Sequence, residues 1–238
     1  SPGPGTTFQV QRARFDQILA DEAARQGVDV RFQHEVVSGD FGDQGAALQV
    51  RDLASGESKQ VQARFVLDAS GYGRVLARML DLELPSSMLP RKALFTHIED
   101  RMPEGEFDRG KILISVHPEH RGIWYWLIPF SNGRCSLGVV GDVALLENAS
   151  ASPDETLKQW VFAAPNLQKV LRNAVWDTPA SVIGGYSAAV KRLHGPSYAL
   201  LGNAAEFLDP VFSSGVTIAL KSSKLAADAL HRQLSGEQ

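Results

Sequence analysis

The stretch with the clearest chemical character lies near the end of the 238-residue chain, at residues 198–230. A short apolar run at 198–201 is followed by Gly202, an irregular segment and a Ser-Ser-Gly sequence that ends at Gly215. Apolar residues at helical spacing come next, so the pattern predicts a strand, a loop and a helix. Glycine lets a ligand approach the backbone closely, and a helix start offers unpaired N–H groups to an electron-rich group. The stretch therefore predicts a cofactor site.

An aromatic stretch at residues 122–129, GIWYWLIP, is the second candidate for chemistry. If it forms a strand, Trp124 and Trp126 point to the same face, because side chains alternate along a strand. Two large rings on one face can wall a channel or hold an aromatic substrate. Ordinary core packing would give the same pattern, so both interpretations stay open.

A continuous apolar run at residues 65–67 leads directly into Asp-Ala-Ser-Gly at 68–71. The run predicts a strand buried on both faces, and the residues after it predict a tight turn at a binding crevice. Gly71 permits the bend, whereas Asp68 either approaches a ligand or caps the turn locally. The sequence favours neither role for Asp68.

Other reactive side chains give weaker signals. The histidines lack the spacing of a metal site, and we expect four of them on surfaces or at strand ends: His97, His117, His120 and His194. A serine nucleophile at Ser213 or Ser214 would need a histidine and a carboxylate that the sequence does not place with it. We therefore predict neither a metal site nor serine-nucleophile chemistry.

Composition narrows the partners and the compartment. The net charge is −3 at pH 7 without a basic stripe, which argues against nucleic acid and anionic membrane surfaces. No stretch approaches the roughly 18 consecutive apolar residues of a membrane span, and the first residues lack a signal-peptide pattern. The single cysteine, Cys135, has no internal disulfide partner and reads as a small buried hydrophobe. We predict a cytoplasmic protein.

Periodicity predicts the elements that position these residues. Helical spacing predicts helices at 12–26, 75–80, 153–163 and 166–171, and from 215 onward. Runs separated by turn residues predict strands at 28–32, 35–41, 46–52 and 59–64, the last three as an antiparallel meander. A second antiparallel sheet is predicted from 92–98, 111–117, 122–130 and 134–140. Residues 176–191 are predicted to return as strand.

Three stretches stand out together in order and spacing: QVQRARFDQIL at 9–19, VLDASG at 66–71 and LLGNAAEFLDPVFSSGV at 200–216. They resemble the flavin-dependent halogenase branch of the FAD-dependent aromatic-hydroxylase-like monooxygenases, and WxWxIP at 124–129 resembles a halogenase signature. The resemblance implies an α/β fold. Residues 1–84 and 192–238 would form a Rossmann-like FAD-binding module, and residues 85–191 an antiparallel β-sheet substrate module.

The resemblance also implies residues that bind FAD. One of them, Asn203, stands where the family usually has Asp, so a neutral hydrogen bond would replace a charge-assisted one at the ribityl chain. Another, Arg12, can form two hydrogen bonds to phosphate oxygens. The complete implied set is Gln9, Arg12, Asp68, Gly71, Gly202, Asn203, Asp209, Pro210, Gly215 and Val216. Ser214 and Gly215 would line a halide site, and Trp124 and Trp126 would lie on the substrate side.

Two features of the family are not matched by any stretch of this sequence. No GxGxxG occurs, so the resemblance implies that the N-terminal Gly-rich FAD-binding segment is missing. The catalytic lysine of halogenases belongs to that segment, which leaves the catalytic residue unknown. We expect this chain alone to bind FAD weakly or not at all and to be inactive. Uncovered sheet would expose apolar surface and favour self-association.

The implied function is an FAD-dependent oxidoreductase, halogenase-like or monooxygenase, acting on an aromatic or other hydrophobic substrate that is free or tethered to a carrier. A flavin reductase would be a partner. Two alternatives stay open: a flavin-dependent reductase of an unsaturated substrate, and a non-catalytic ligand-binding module that has lost its cofactor. The unmatched Gly-rich turn favours the second alternative, whereas the retained DPVFSSGV at 209–216 argues against it.

Overall fold

The computed structural model describes residues 8–85, 88–147, 152–207 and 213–236. Backbone contacts divide the chain into two compact units. The first unit consists of residues 1–66 and 196–198, and the second of residues 67–195 and 199–238. The two units are defined by backbone contacts, whereas the predicted cofactor and substrate modules are defined by the ligands that they would bind. The predicted modules therefore stay a prediction.

The first unit contains one helix and a small antiparallel sheet. Helix α1 (Arg12–Arg25) begins where the spacing predicts, and it stops before Gly27, whose φ of 92° suits glycine. The strands are β1 (His34–Gly42), β2 (Gly45–Asp52) and β3 (Ser58–Ala63), which pair antiparallel in that order. The predicted meander is confirmed.

The strand predicted at residues 28–32 is wrong. These residues are irregular, and none of the strands in the described part of the chain pairs with them. Val28 and Phe32 are 57% and 77% exposed, so the alternation in the sequence does not correspond to a buried face. A strand also needs a neighbouring strand that bonds its backbone N–H and C=O groups, and none of the described strands does so here.

The second unit holds the other helices and strands, although the first residues of two short strands, β4 and β13, belong to the first unit. The elements in its first half are β4 (Val66–Asp68), α2 (Val75–Met79), β5 (Glu83–Leu84), β6 (Arg91–Glu99), β7 (Leu113–Val116), β8 (Trp124–Pro129) and β9 (Arg134–Asp142). Those that follow are α3 (Val143–Leu146), α4 (Pro153–Ala163), α5 (Pro165–Val170), β10 (Ser181–Gly184), β11 (Ala189–Val190), β12 (His194–Gly195), β13 (Tyr198–Leu200) and α6 (Gly215–Ser235). Of the strand predicted at 176–191, only β10 and β11 form.

A five-stranded antiparallel sheet in the order β10-β6-β9-β8-β7 is the centre of the second unit. The predicted sheet is confirmed, and β10 adds a strand at its edge. Phe95 of β6 and Trp126 of β8 both pair with Gly138 of β9, which lies between them. Because side chains alternate along each strand, residues that pair directly share a face of the sheet.

One face of this sheet carries the hydrophobic core. Buried residues of β6, β8 and β9 pack there with residues of α4 and α5: Leu94, Ile98, Tyr125, Leu127, Leu137, Val139, Leu157, Val161, Leu167 and Leu171. Helix α4 begins with a capping box, in which Ser152 and Glu155 each accept a hydrogen bond from the other's backbone N–H. The helices therefore cover this face and leave the opposite face to other elements.

A smaller sheet of β12, β13 and β4 contains the boundary between the two units. Strand β4 was predicted to be buried on both faces, but Leu67 is 39% exposed. The physical reason is alternation: Leu67 points to the opposite face from the buried Asp68, and the described residues leave that face partly uncovered.

Helix α6 is 21 residues long and has no buried residue. Its exposed apolar side chains include Leu220 and Leu225, which are 51% and 57% exposed. Helix α1 also lacks a buried residue, and its Ile18 is 50% exposed. None of the helices in the described ranges is long and apolar enough to cross a membrane.

Candidate functional site

The turn after β4 is held by the side chain of Asp68. Its buried carboxylate accepts hydrogen bonds from the backbone N–H groups of Ser70 and Leu76, both at 2.8 Å. The hydroxyl of Ser70 accepts another from the N–H of Val75, so the two side chains cap the start of α2. Gly71 adopts a φ of 60°, and a Cβ there would meet nothing within 4 Å. The structure thus shows the local capping role of Asp68 and leaves open space beside Gly71.

The second turn follows β13 and packs against α6. Gly202 adopts a φ of 52°, and a Cβ on it would lie 3.1 Å from the Cβ of Ala219. Its N–H donates to the hydroxyl of Ser222 at 3.1 Å. The close approach of α6 is therefore sufficient to require glycine at this position, and it fixes the place of the next residue, Asn203.

Asn203 is the residue expected at the ribityl chain. Its Oδ1 atom is buried and has no hydrogen-bond partner within the described part of the chain. A Cβ built on Gly215 would lie 3.8 Å from this oxygen, so Asn203 lies beside the start of α6. A buried acceptor left unpaired costs about 1–3 kcal/mol, which a donor from outside the chain would recover. A ribityl hydroxyl is such a donor, so the residues present here fit FAD.

The N-cap side chain does not cap the start of α6. Ser214 occupies the N-cap position and makes no capping hydrogen bond, and Ser213 before it adopts a φ of 51°. The first N–H groups of a helix have no intrahelical acceptor. The backbone N–H groups of Gly215 and Val216 are therefore donors that the electron-rich edge of a ligand can use.

For four other residues predicted to bind FAD, the structure offers less support. Asp209 and Pro210 lie outside the described residues. Gln9 and Arg12 belong to the first unit, where Arg12 donates two hydrogen bonds to Asp16, at 2.9 and 2.8 Å. This ion pair is exposed and spans one turn of α1, so a phosphate would have to displace Asp16 to bind Arg12.

A cavity of about 340 Å³ lies on the face of the five-stranded sheet opposite the core. Its floor consists of side chains from four strands, which include Phe95, His97, Trp126, Ile128, Ser136 and Ile183. Three aromatic side chains from outside the sheet cover it: Tyr72, Tyr186 and Phe207. The cavity lies entirely within the second unit.

Phe207 lies between the two tyrosines that cover the cavity. Its ring meets the rings of Tyr72 and Tyr186 edge-on, with centroids 5.5 Å apart in both pairs. Tyr72 directly follows Gly71, and Phe207 comes two residues before Asp209. Two of the stretches predicted to bind the cofactor therefore each place one aromatic side chain over the cavity.

Trp124 and Trp126 share the cavity face, as alternation predicts, with ring centroids 5.9 Å apart. Trp124 is 7% exposed and packs with Val140 and Tyr186 in a small hydrophobic cluster. Trp126 is partly buried and lines the cavity itself. Trp124 is therefore packed as part of a hydrophobic cluster, whereas Trp126 belongs to the floor of the cavity. Contact of either ring with a substrate stays a prediction.

The polar groups around the cavity are few in the described lining. Side-chain oxygen or nitrogen atoms come from Tyr72, His97, Trp126, Ser136 and Tyr186, and none of the described lining residues is Lys, Arg, Asp or Glu. Burial raises the pKa of Tyr72, so its hydroxyl stays a neutral donor at pH 7. An uncharged aromatic or hydrophobic group is the ligand that such a lining suits.

Two other reactive side chains, His117 and Cys135, are buried and contribute to the folded structure. His117 directly follows β7 and is buried, and its Nδ1 accepts the backbone N–H groups of Glu119 and His120 at 3.1 Å. Burial, with a smaller effect of His120, lowers the pKa of His117. Cys135 is fully buried, and burial raises its pKa to about 12. No group of three or more His, Cys, Asp or Glu side chains among the described residues is arranged to hold a metal ion.

Sequence reasoning missed part of the cavity. Tyr72, Tyr186 and Phe207 received no role, and His97 was expected on a surface or at a strand end. Two signals were present in the sequence. Tyr72 is the residue after Gly71, and His97 follows Phe95 at a spacing of two in a predicted strand, which places both on one face.

Solved structures that this chain resembles include flavoproteins. A flavoprotein/dehydrogenase from Cytophaga hutchinsonii is 38% identical with a TM-score of 0.88, and the match covers all of this chain and 58% of that one. The myxobacterial chondrochloren halogenase, an FAD-dependent halogenase, is 30% identical with a TM-score of 0.86, over 98% of this chain and 54% of that one. The fold is thus that of the FAD-dependent halogenase class, and the predicted α/β fold class is confirmed.

The chain belongs to the tryptophan halogenase family, whose family model matches residues 4–237. Tryptophan 2-halogenase from Chondromyces crocatus is 30% identical over 97% of this chain and 45% of its own length. The chlorinase of 1H-pyrrole-2-carbonyl on a peptidyl-carrier protein, from Pseudomonas fluorescens, is 29% identical over 93% of this chain and 50% of its own length. The resemblance seen in the sequence is confirmed, and the chain spans about half the length of these curated relatives.

Proposed function

We propose that the chain serves in an FAD-dependent oxidoreductase, halogenase-like or monooxygenase, that acts on an aromatic or other hydrophobic substrate. The observation that carries the proposal is the meeting of three separated stretches at one cavity. Tyr72 follows VLDASG, Trp126 belongs to WxWxIP, and Phe207 leads into DPVFSSGV. A largely apolar cavity with a few convergent polar groups is the usual form of a small-molecule site, which supports a substrate pocket here.

The residues that would hold FAD lie at the start of α6 and in the turn before it. The Oδ1 atom of Asn203 would accept a hydrogen bond from the ribityl chain, and the N–H groups of Gly215 and Val216 would face the electron-rich edge of the ring. Asp209 and Pro210 would belong to the same loop, and Gln9 and Arg12 would reach toward the phosphates. FAD, when bound, supplies the oxidising chemistry.

A halide would bind at Ser214 and Gly215. The hydroxyl of Ser214 makes no capping hydrogen bond, and the first N–H groups of α6 favour an anion together with the helix dipole. These two residues would therefore both position a halide beside the ring.

The aromatic side chains that line the cavity would bind the substrate in this proposal. The rings of Trp126 and Phe207 would orient an aromatic group by edge and face contacts. The same rings would keep water away from the reacting atoms, because the described lining carries no Lys, Arg, Asp or Glu side chain to hold it.

The substrate is proposed to be a small aromatic or hydrophobic group, either free or tethered to a carrier. The name of the Pseudomonas relative describes a ring carried on a peptidyl-carrier protein, which supports the tethered form. A flavin reductase is the proposed source of reduced flavin, and the cytoplasm is the proposed compartment because the chain has one buried cysteine.

Titration of the chain into fixed FAD or riboflavin, followed by flavin fluorescence, tests the cofactor assignment. Because Arg12 is already paired with Asp16, we expect the phosphates to add little to binding by this chain, so the two flavins should bind with similar affinity, about micromolar or weaker. Asn203→Asp should tighten both by about three- to tenfold, because a charge-assisted hydrogen bond replaces a neutral one, and Asn203→Ala should weaken both. His194→Phe, in an exposed position, is the control.

Equal affinities of wild type, Asn203→Asp and Asn203→Ala would overturn the assignment of Asn203. FAD binding at least about thirtyfold tighter than riboflavin binding would show that this chain also grips the phosphates, with Arg12 as the first candidate. Absence of binding for every variant at the highest protein concentration would favour the alternative of a ligand-binding module that has lost its cofactor.

A further inference from the structure

Gly138 and Trp126 meet at the floor of the cavity. They are directly opposite each other in β9 and β8, and a Cβ on Gly138 would lie 2.3 Å from two atoms of the Trp126 indole. No side chain larger than hydrogen fits under this ring. The indole therefore lies over the glycine backbone, an arrangement in which an aromatic ring covers a cross-strand glycine.

A hydrogen bond from its N–H group also holds the same indole. The Nε1–H group of Trp126 donates to the hydroxyl of Ser136 at 3.0 Å. Ser136 lies two residues before Gly138 in β9, so it points to the same face of the sheet. Gly138 supplies the space for the ring and Ser136 sets its direction. Held at both points, the ring stays on the floor and leaves the space above it open.

His97 gives the cavity one polar end. It pairs directly with Ser136 between β6 and β9, so the two side chains are neighbours on the cavity face. The imidazole packs edge-on against Phe130, with centroids 5.2 Å apart, and the residue is exposed. In the adjacent set of directly paired residues, Gly138 lies between two aromatic residues, Phe95 and Trp126. A ligand ring on the Trp126 indole would therefore lie beside the row of the sheet that contains His97.

We propose that Gly138 and Ser136 determine the specificity of this cavity by holding Trp126, and that His97 contacts a polar substituent of a single aromatic ring bound on the Trp126 indole. The ligand class is an uncharged ring that bears a hydroxyl or an N–H group. This inference rests on the proposed function in that the bound ring is the substrate of the flavin-dependent reaction.

The size of the cavity agrees with one ring. Pockets that hold drug-sized molecules have roughly 300–1,000 Å³, so a volume of about 340 Å³ is at the small end of this range. Movement of Trp126 off the floor would remove much of this volume. A single added methyl group at Gly138 would force such a movement, since the indole atoms that it would meet belong to a bulky ring.

Ligand-observed fluorine NMR tests the proposal in the absence of flavin. The probes are 4-fluorophenol and fluorobenzene, which differ in one hydroxyl. Wild type should bind both, and the phenol more tightly by about three- to tenfold, the net effect of one hydrogen bond. His97→Phe should reduce phenol binding to the level of fluorobenzene and change fluorobenzene binding by less than about twofold, because it removes one hydrogen-bonding group and keeps the ring contacts.

Two further variants test the hold on Trp126. Gly138→Ala should abolish binding of both probes, because the displaced indole fills the cavity. Ser136→Ala should weaken both probes equally and shift the indole N–H resonance of Trp126, which has lost its acceptor. The control for the glycine is Gly184→Ala, in the same sheet, where a Cβ would meet no atom closer than 3.8 Å. His194→Phe is the control for the histidine.

Each result supports or overturns one part of the proposal. Wild-type binding of both probes by Gly138→Ala, shown to be folded by circular dichroism, would refute the role of Gly138. An equal loss of both probes in His97→Phe would refute the polar contact, and no binding to wild type would refute the site. The probes need no flavin, so probe binding by a chain that binds no flavin would favour the ligand-binding module that has lost its cofactor and would leave the ring contacts inferred here intact.

Discussion

The two faces of the five-stranded sheet are built from neighbouring residues of the same strands, and they differ in chemistry. The core face is largely aliphatic and buried, as Leu127 and Leu137 show, and α4 and α5 cover it. The cavity face carries Phe95, Trp126 and His97 and stays partly open. A sheet can thus anchor a domain on one side and form a pocket on the other, with strand alternation alone deciding which residue does which.

The largest expected difference between the faces is in stability. Leu127 and Ile128 are consecutive in β8, but Leu127 is fully buried in the core whereas Ile128 lines the cavity. Leu127→Ala should lower the free energy of unfolding by about 2–5 kcal/mol, and Ile128→Ala by less than about 1.5 kcal/mol. Urea denaturation followed by circular dichroism measures both. Equal losses would show that the cavity face is also packed as core.

Thiol chemistry gives a second comparison, between Cys135 on the core face and Ser136 on the cavity face. Burial raises the pKa of Cys135 to about 12, so little thiolate exists at pH 8. Iodoacetamide should modify Cys135 roughly a hundredfold more slowly than the thiol of a Cys135→Ser, Ser136→Cys double variant. Both chains should react alike in urea. Similar rates in the folded chains would contradict the assigned faces.

A smaller difference is expected between tyrosine hydroxyls. The hydroxyl of Tyr125, on the core face, donates to the carbonyl oxygen of Trp160 at 3.0 Å. Tyr125→Phe should therefore cost about 1 kcal/mol of unfolding free energy. Tyr72→Phe, at a half-exposed ring over the cavity, should change it by less than about 0.5 kcal/mol. A reversed order in urea denaturation would place the more important hydroxyl at the cavity.

The smallest expected effect is a pH dependence on the core side. Burial lowers the pKa of His117 below its usual value of 6.5. Well above pH 6.5, His117 is neutral in both the folded and the unfolded chain. As the pH falls below 6.5, His117 is protonated in the unfolded chain before it is protonated in the folded chain. Unfolding free energy should therefore decrease as the pH falls from 6.5 through the folded pKa.

The matched variant is His117→Asn, which retains an acceptor for the N–H groups of Glu119 and His120 but cannot titrate. Its unfolding free energy should fall less steeply between about pH 7 and pH 5. Identical slopes for the variant and the wild type would assign the pH dependence to another group.

Much of the fold could be predicted from the sequence, because periodic segments carry their own signal. The meander, the five-stranded sheet and helix α4 follow from alternation, turn residues and a capping box that are visible residue by residue. Residues 28–32 alternate in the same way and yet form no strand. Alternation reports which residues could share a face, whereas a strand also needs a partner, and pairing is a property of the folded chain.

For the candidate site, too, local sequence patterns predicted one part and tertiary contacts decided the other. The sequence by itself determined the family, through motifs such as DPVFSSGV, and it determined that Trp124 and Trp126 share a face. Only the tertiary structure decided that Trp124 is packed while Trp126 lines a cavity, and that Tyr72 and Phe207 meet above it. The physical reason is distance along the chain: a strand period is local, whereas contacts between residues more than a hundred positions apart arise only when the sheet and its loops have folded together.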